Sequence, residues 1–498
     1  MAGLRRALLF ASSGRYVVTG ITLASTIILA RLLTPTEFGI SVLGTSVLGI
    51  AEAIRELGSI AYLVQERELT HRKTRTVFTI SLIVTLCITV GLVMLSGPLA
   101  DFYGVPSLGR YIRIIALSYA LAPFAHPIYA LLTRDMAFGT VALLDVAMTL
   151  VNAIAAICLV LLGFSYMGIA WAYVISSVTW TLLGLYVKRD FSVYRPSLRE
   201  WRSVLAFGAC GSATAILYRA SESLFYLILG KFLSAGAVGL CQRALLLAQF
   251  PERVILAGIG AVALPAFSDH ARNGRDMKRA YLDAIEHVTA VLWPTLILLC
   301  ILAGPIVSLL LGPQWHDAVP IMRIFALALL FNFPASLNYP LQIAAGGVRQ
   351  AVVVAFVQTA VSLTVISLAA GYGLRAAVLS TVFTYPFNIA LSVLLVRSLV
   401  PFNWREFAGA LSKSAISSML SAVGPVAILV RYGGGIDMPI EMAGAAVILC
   451  GVGWIGGLWL TRHPLYRELR HAGASALGLM RARLMVPAGG ATAVDKHE

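Results

Sequence analysis

The stretch VFTISLIVTLCITVGLVML, residues Val77 to Leu95, contains no charged side chain. Wound as a helix rising 1.5 Å per residue, it is long enough to cross a hydrocarbon core of about 30 Å. The uncharged runs from Ala351 to Ala370 and from Met442 to Thr461 have the same property. Hydrophobic residues make up 59% of the 498 and charged ones only 12%, too little polar surface for a water-soluble globule. The solvent for this chain is therefore lipid. The opening MAGLRRALLFASSGRYVVTG carries Arg5, Arg6 and Arg15 before an apolar stretch that continues to Leu33 without a small-residue cleavage site. That predicts an uncleaved first helix. The cysteines (Cys87, Cys158, Cys210, Cys241, Cys300, Cys450) stand singly in apolar segments and are expected to be small core residues.

Breaking the chain at polar, Gly and Pro clusters predicts an all-α polytopic membrane protein with about fourteen spans. They lie near residues 12 to 33, 38 to 64, 76 to 96, 110 to 132, 138 to 162, 166 to 187, 204 to 230, 236 to 264, 285 to 311, 318 to 345, 350 to 370, 374 to 398, 411 to 430 and 440 to 461. With the N-terminus inside, most Lys and Arg fall on cytoplasmic connections, and only Arg31, Arg110, Arg113, Lys231, Arg375 and Arg431 fall on the other side. Both termini are then cytoplasmic. The net charge of +15 reads as topology and attraction to anionic lipid, not as nucleic-acid binding.

Two segments 200 positions apart are alike: Arg31-Leu-Leu-Thr-Pro-Thr-Glu-Phe-Gly39-Ile40 and Lys231-Phe-Leu-Ser-Ala-Gly-Ala-Val-Gly239-Leu240. Glu52 pairs with Glu252 at the same offset, Gly97-Pro98 with Gly304-Pro305, and Arg113 with Arg323. The matches predict a duplicated unit of six spans. An even number returns the chain to its starting side, so the two bundles run parallel, related by an axis along the membrane normal. The expected division is a first lobe over 1–200, a second over 201–400, two added spans over 401–461 and a cytoplasmic tail over 462–498. Such lobes suit a carrier that rocks about a shared central cavity.

The segment ILARLLTPTEFGI (Ile28 to Ile40) resembles the first periplasmic turn of the Wzx-type polysaccharide flippases of the multidrug/oligosaccharidyl-lipid/polysaccharide exporter superfamily. LILGKFLSAGAVGLCQRALLLAQFPERVI (Leu227 to Ile255) resembles that family's second-lobe opening. LPAFSDHARNGRDMKRAYLDAIEH (Leu264 to His287), AGPIVSLLLGPQWHDAVPIMRI (Ala303 to Ile324) and IAAGGVRQ (Ile343 to Gln350) extend the likeness. The resemblance implies two six-helix bundles facing each other across a cavity. It also implies translocation of undecaprenyl-pyrophosphate-linked oligosaccharide across the bacterial inner membrane, for exopolysaccharide or lipopolysaccharide O-antigen assembly. Implied partners are that lipid-linked oligosaccharide, a polysaccharide polymerase and chain-length proteins.

Charges inside spans usually face a bundle interior or a water-filled cavity. Glu52, Arg55 and Glu56 share one face of the second span, and Arg219 and Glu222 stand at i, i+3 in the seventh. Arg243, Glu252 and Arg253 follow in the eighth, with Asp145 in the fifth. Guanidinium groups suit phosphate oxygens, so Arg31, Arg55, Arg219, Arg243 and Arg253 are candidates for binding the pyrophosphate. For Arg55 and Arg219, neutralisation by neighbouring glutamates is an equal alternative. Glu52, Glu56, Glu222 and Asp145 are candidate cavity acids, with Glu52 and Glu222 available for coupling to H+ or Na+. Arg113 and Arg323 are expected to be rim or structural residues, and His126 a hydrogen-bonded interior one. Tyr16, Tyr218 and Tyr226 either stack on sugars or pack ordinarily, and prolines 123, 127, 334 and 340 suggest a bend repeated in the fourth and tenth spans. No cofactor, metal ligand set or catalytic constellation is expected. The competing readings are a lipid II flippase, a multidrug antiporter of the same superfamily and, more remotely, a membrane polymerase or ligase.

Overall fold

The computed structural model describes residues 2–55, 60–66, 70–188, 191–202, 204, 213–432 and 438–470. Among these residues all regular structure is helical, as lipid demands of a backbone that must satisfy its own hydrogen bonds. The first group of helices is α1 (Ala2–Leu32), α2 (Pro35–Arg55), the short α3 (Ile60–Gln65), α4 (His71–Tyr103), α5 (Pro106–Arg134), α6 (Phe138–Leu159) and α7 (Met167–Val187). The second is α8 (Ala213–Phe232), α9 (Ala235–Arg272), α10 (Met277–Ile301), α11 (Ala303–Leu310), α12 (Ala318–Leu329), α13 (Ala335–Ala344), α14 (Val348–Ala370) and α15 (Leu374–Leu399). A hairpin of α16 (Trp404–Arg431) and α17 (Ile440–Leu460) follows.

Eleven described helices are long and apolar enough to cross a membrane, and α8, α9 and the α12–α13 pair fall outside that criterion. Large apolar side chains stand exposed on the outside of the molecule, among them Met94, Leu162, Phe356 and Val430. The chain is an integral membrane protein.

Local sequence sets the helix ends. The Thr70 hydroxyl accepts from Lys73 N–H at the start of α4, and Gly104, at φ 65°, ends that helix in a left-handed turn. Ser234 caps α9, and Asp276 caps α10. Within the first group α4 packs on α5, α6 on α1 and α7, and α5 on α7; within the second, α14 packs on α8 and α15, and α12 on α9. The groups meet where α2 lies against α8 and α9, and the α16–α17 hairpin docks through α16 on α10.

One end of the molecule is closed by contacts between the groups. Gly39 of α2 and Gly239 of α9 let two backbones touch, because a Cβ on either would collide with the carbonyl of Ala235 or Pro35. Arg31, at the end of α1, donates to the carbonyls of Leu309 and Leu310 at the end of α11. Lys231, at the end of α8, donates to the carbonyl of Phe102 at the end of α4, at 2.8 Å. Buried Trp315 completes the closure, its indole N–H donating to Ala30 O at 2.7 Å.

Three expectations are corrected. Cys87 and Cys158 lie exposed on helix surfaces instead of in the core, where Cys241 and Cys450 do sit. The prolines interrupt the two helices unequally: Pro123 and Pro127 lie within a continuous α5, whereas the later helix breaks into α12 and α13 just before and at Pro334. The segment read as one span over 285 to 311 ends at Ile301 and restarts as α11.

Candidate functional site

A cavity of about 520 Å³ lies between the two helix groups, lined from α1, α2, α6 and α7 on one side and from α8 and α9 on the other. Its charged lining residues are Glu52, Arg219, Glu222, Arg243 and Arg253. A second recess of about 560 Å³ continues between α8, α13, α14 and α15. The two share Arg219, Glu222, Tyr226, Leu245 and Gln249.

Spacing on two helices brings the charges together. Residues three and four apart share a helix face, so α8 presents Arg219, Glu222, Ser223 and Tyr226 to the first recess, and α9 presents Gln242, Arg243, Leu246, Gln249 and Arg253. Glu52 reaches across from α2 and accepts from Arg219 at 3.2 Å. On its other side, Glu52 lies 3.9 Å from Arg55.

Arg55 and Arg243 have opposite fates. Arg55 turns away from the cavity into α5, its side chain 11% exposed, with Nη1 2.6 Å from His126 Nδ1 and the guanidinium 5.6 Å from the Tyr119 ring. A guanidinium can only donate, so His126 accepts there and is a neutral imidazole. Arg243 is 2% exposed and lines the cavity, its guanidinium 3.5 Å from the centroid of Phe38. Among the described residues no carboxylate lies within ion-pair distance of Arg243, and its Nε–H has no hydrogen-bond partner. Phe38 neighbours Gly39, and Arg243 lies one helical turn beyond Gly239. The buried cation therefore sits at the base of the closed end. Arg253, at the other end of the same face, is held by Gln249 Oε1 at 3.1 Å.

The remaining expected residues are elsewhere. Arg31 is not in the cavity, as its bonds to the end of α11 place it in the closure. Asp145 sits part-buried in α6 and lines neither recess. Arg113 donates to Gly109 O on its own helix, and neither it nor Arg323 lines a recess. Glu252 accepts from Asn332 at 3.2 Å, beside the α12–α13 break, so its role differs from that of Glu52. Glu56 lies outside the described residues. Of the tyrosines, Tyr218 and Tyr226 line the second recess and Tyr16 lines neither.

Uncharged polar residues, which the charge pattern of the sequence does not mark, complete both recesses. Asn152, Gln242 and Gln249 line the first recess; Gln358, Ser362, Asn388 and Ser392 line the second. A signal for the last group is present in the sequence: Thr381, Thr384, Asn388 and Ser392 recur at three- and four-residue steps along one face of α15. Among the described residues no group of His, Cys, Asp and Glu could hold a metal ion.

A family model described as polysaccharide biosynthesis protein matches residues 28–320. The lipopolysaccharide biosynthesis protein WzxC of Escherichia coli (strain K12) is 22% identical over 312 residues, 62% of this chain and 63% of that protein. The succinoglycan biosynthesis transport protein ExoT of Rhizobium meliloti (strain 1021) is 27% identical over 324 residues, 64% of this chain and 65% of that one. The match thus spans less than two thirds of the length of these relatives. Among solved structures, the lipid II flippase MurJ in an inward closed conformation superposes with a TM-score of 0.74 at 13% identity, covering 93% of this chain and 99% of MurJ. An inward-facing MATE-family multidrug resistance transporter superposes with a TM-score of 0.60 at 17% identity, covering 77% of this chain and 94% of that one. At those identities the likeness establishes the fold.

Proposed function

The chain belongs to the polysaccharide biosynthesis protein family, and from that premise we propose that it moves undecaprenyl-pyrophosphate-linked oligosaccharide across the bacterial inner membrane by alternating access. The observation that carries this reading is Arg243, a cation buried in the cavity with no acidic partner among the described residues. Burying an unpaired charge is costly, so a site that retains one suits an anionic ligand that completes the pair. Arg219 and Arg253 add donors on the same wall, against the two carboxylates of Glu52 and Glu222. This excess of guanidinium over carboxylate favours phosphate cargo over the organic cations of a drug antiporter.

In this reading the two helix groups are parallel lobes, and the Gly39–Gly239 contact closes the outer side. The termini are cytoplasmic, and the arginines meet the phosphates in the cavity. Glu52, tied to Arg219, and Glu222 are the acids available for coupling to H+ or Na+. The product would feed a polymerase and its chain-length partners. The test is deletion of the gene followed by analysis of lipid-linked oligosaccharides. Accumulation of one such species on the cytoplasmic leaflet is the expected result; no accumulation, with drug sensitivity instead, would overturn the proposal.

A further inference from the structure

We propose that the second recess is a subsite for the uncharged sugar residues of the cargo, distinct from the arginine-lined recess that takes its phosphates. This rests on the carrier reading given above and adds to it a site that chooses among glycans.

The recess is walled by polar groups set in otherwise apolar helices: Gln358, Thr359 and Ser362 on α14, and Thr384, Asn388 and Ser392 on α15. At bilayer depth such groups are retained where they face water, a ligand or one another. Among the described lining residues the charged ones are Arg219 and Glu222, both shared with the first recess, and Glu252 stands behind the lining residue Asn332, which donates to it. A phosphate seated beyond Arg219 would meet no further cation among these lining residues, and a cationic ligand would have to compete with Asn332 for Glu252. An uncharged ligand dense in hydroxyl groups meets neither penalty.

Bonds among the lining groups hold them in place. Gln358 Nε2 donates to Asn388 O at 2.6 Å, and Asn388 Nδ2 donates to Ser362 Oγ at 3.0 Å. A carboxamide offers two N–H donors and two acceptor lone pairs. Gln358 therefore keeps capacity for ligand hydroxyls while the bond to α15 fixes its orientation, the preorganisation a specific site needs. Tyr218, 61% exposed, and Tyr339, 39% exposed, add aromatic faces with hydroxyl tips to the same recess. Those rings offer apolar faces for the C–H side of a sugar. A volume of about 560 Å³ is in the range of small-molecule sites. Arg219, Glu222 and Gln249 line both recesses, so one ligand with an anionic end and a neutral end can occupy the two together.

The competing explanation is that these polar groups only tie α14 to α15. Ligand selectivity separates the two. The full-length protein in lipid nanodiscs is titrated with two probes: undecaprenyl pyrophosphate alone, and the same lipid carrying a neutral disaccharide. The expected result is tighter binding of the glycosylated probe, by about tenfold for one or two added hydrogen bonds. Gln358→Leu should remove most of that difference while leaving the affinity for the bare lipid unchanged. Tyr218→Ala, at an exposed position, should do the same and decides the matter if the Leu variant does not fold. Variants that keep the selectivity, or that weaken both probes equally, would overturn the subsite. So would equal wild-type affinity for the two probes, which leaves the carrier reading standing. Failure of the wild type to bind either probe would remove the carrier reading and the subsite together.

Discussion

Gly39 and Gly239, 200 positions apart, pack directly against one another's helices, each against the residue four positions before the other. A Cβ at Gly39 would strike Ala235 O, and one at Gly239 would strike Pro35 O. The same exchange joins the flanking bonds, where Arg31 reaches the end of α11 and Lys231 the end of α4. A reciprocal contact of this kind is what two-fold related surfaces produce. It closes one end of the molecule through backbone proximity that only glycine allows.

Gly39→Ala and Gly239→Ala should each disfavour the closed end, because overpacking of this kind costs about 1–3 kcal/mol. The measure is labelling of Ser41→Cys, buried in the cavity just beyond Gly39, by a membrane-impermeant maleimide, which should become faster in either glycine variant. An unchanged rate would mean that the contact yields without opening.

Arg31 and Lys231 act on the same closure, with Lys231 also lying 3.8 Å over the Phe102 ring. Replacing either with Ala should increase Ser41→Cys labelling, and the double substitution should increase it further. Joining the two elements instead, through Arg31→Cys with Leu309→Cys and a bifunctional maleimide long enough to replace the arginine's reach, should stop transport.

Arg55 and Arg243 should separate stability from binding. Arg55→Ala leaves a hole between His126, Tyr119 and Glu52 and is expected to lower unfolding stability by about 3 kcal/mol. Arg243→Gln should instead weaken binding of undecaprenyl pyrophosphate at least tenfold without a comparable loss of stability, since it removes a buried charge that no carboxylate among the described residues pairs. Loss of stability in both, with binding unaffected, would make Arg243 a packing residue.

His463, beyond the last span, is fully buried against Ser414, with Glu286, Lys413 and His287 around it and Glu468 paired to His287. Burial, opposed in part by the nearby Glu286 carboxylate, holds its pKa below the usual histidine value. The unfolded chain then binds the extra proton first as pH falls. Stability from this site is therefore complete above about pH 6.5 and declines below it. Thermal unfolding between pH 8 and pH 5 should show that decline, and His463→Asn should flatten it.

The spans were legible because uncharged runs and their polar breaks follow from the cost of burying charge in lipid. Arg31 and Lys231 were legible as matched positions, though not as bonds across the molecule. What the sequence could not convey is rotation about each helix axis. Arg55 and Arg219 look alike in the one-dimensional pattern, yet packing turns Arg55 into α5 and leaves Arg219 on the cavity wall. Asn388 and Gln358 carry no charge to mark them in an apolar span, although Asn388 belongs to a polar stripe on α15 that the sequence contains. The unequal interruption had no local signal, since α5 and the α12–α13 pair both carry prolines and only the latter breaks.

The central claim is that the arginine-lined cavity carries a lipid-linked glycan. It is tested most directly in proteoliposomes, by following transbilayer movement of undecaprenyl-pyrophosphate-linked oligosaccharide from the host that makes it. The account predicts movement with the wild-type protein, near-complete loss with Arg243→Gln, and retention with Arg113→Gln, which lines neither recess. Equal movement by the wild type and Arg243→Gln, or none by the wild type under any ion gradient, would contradict it.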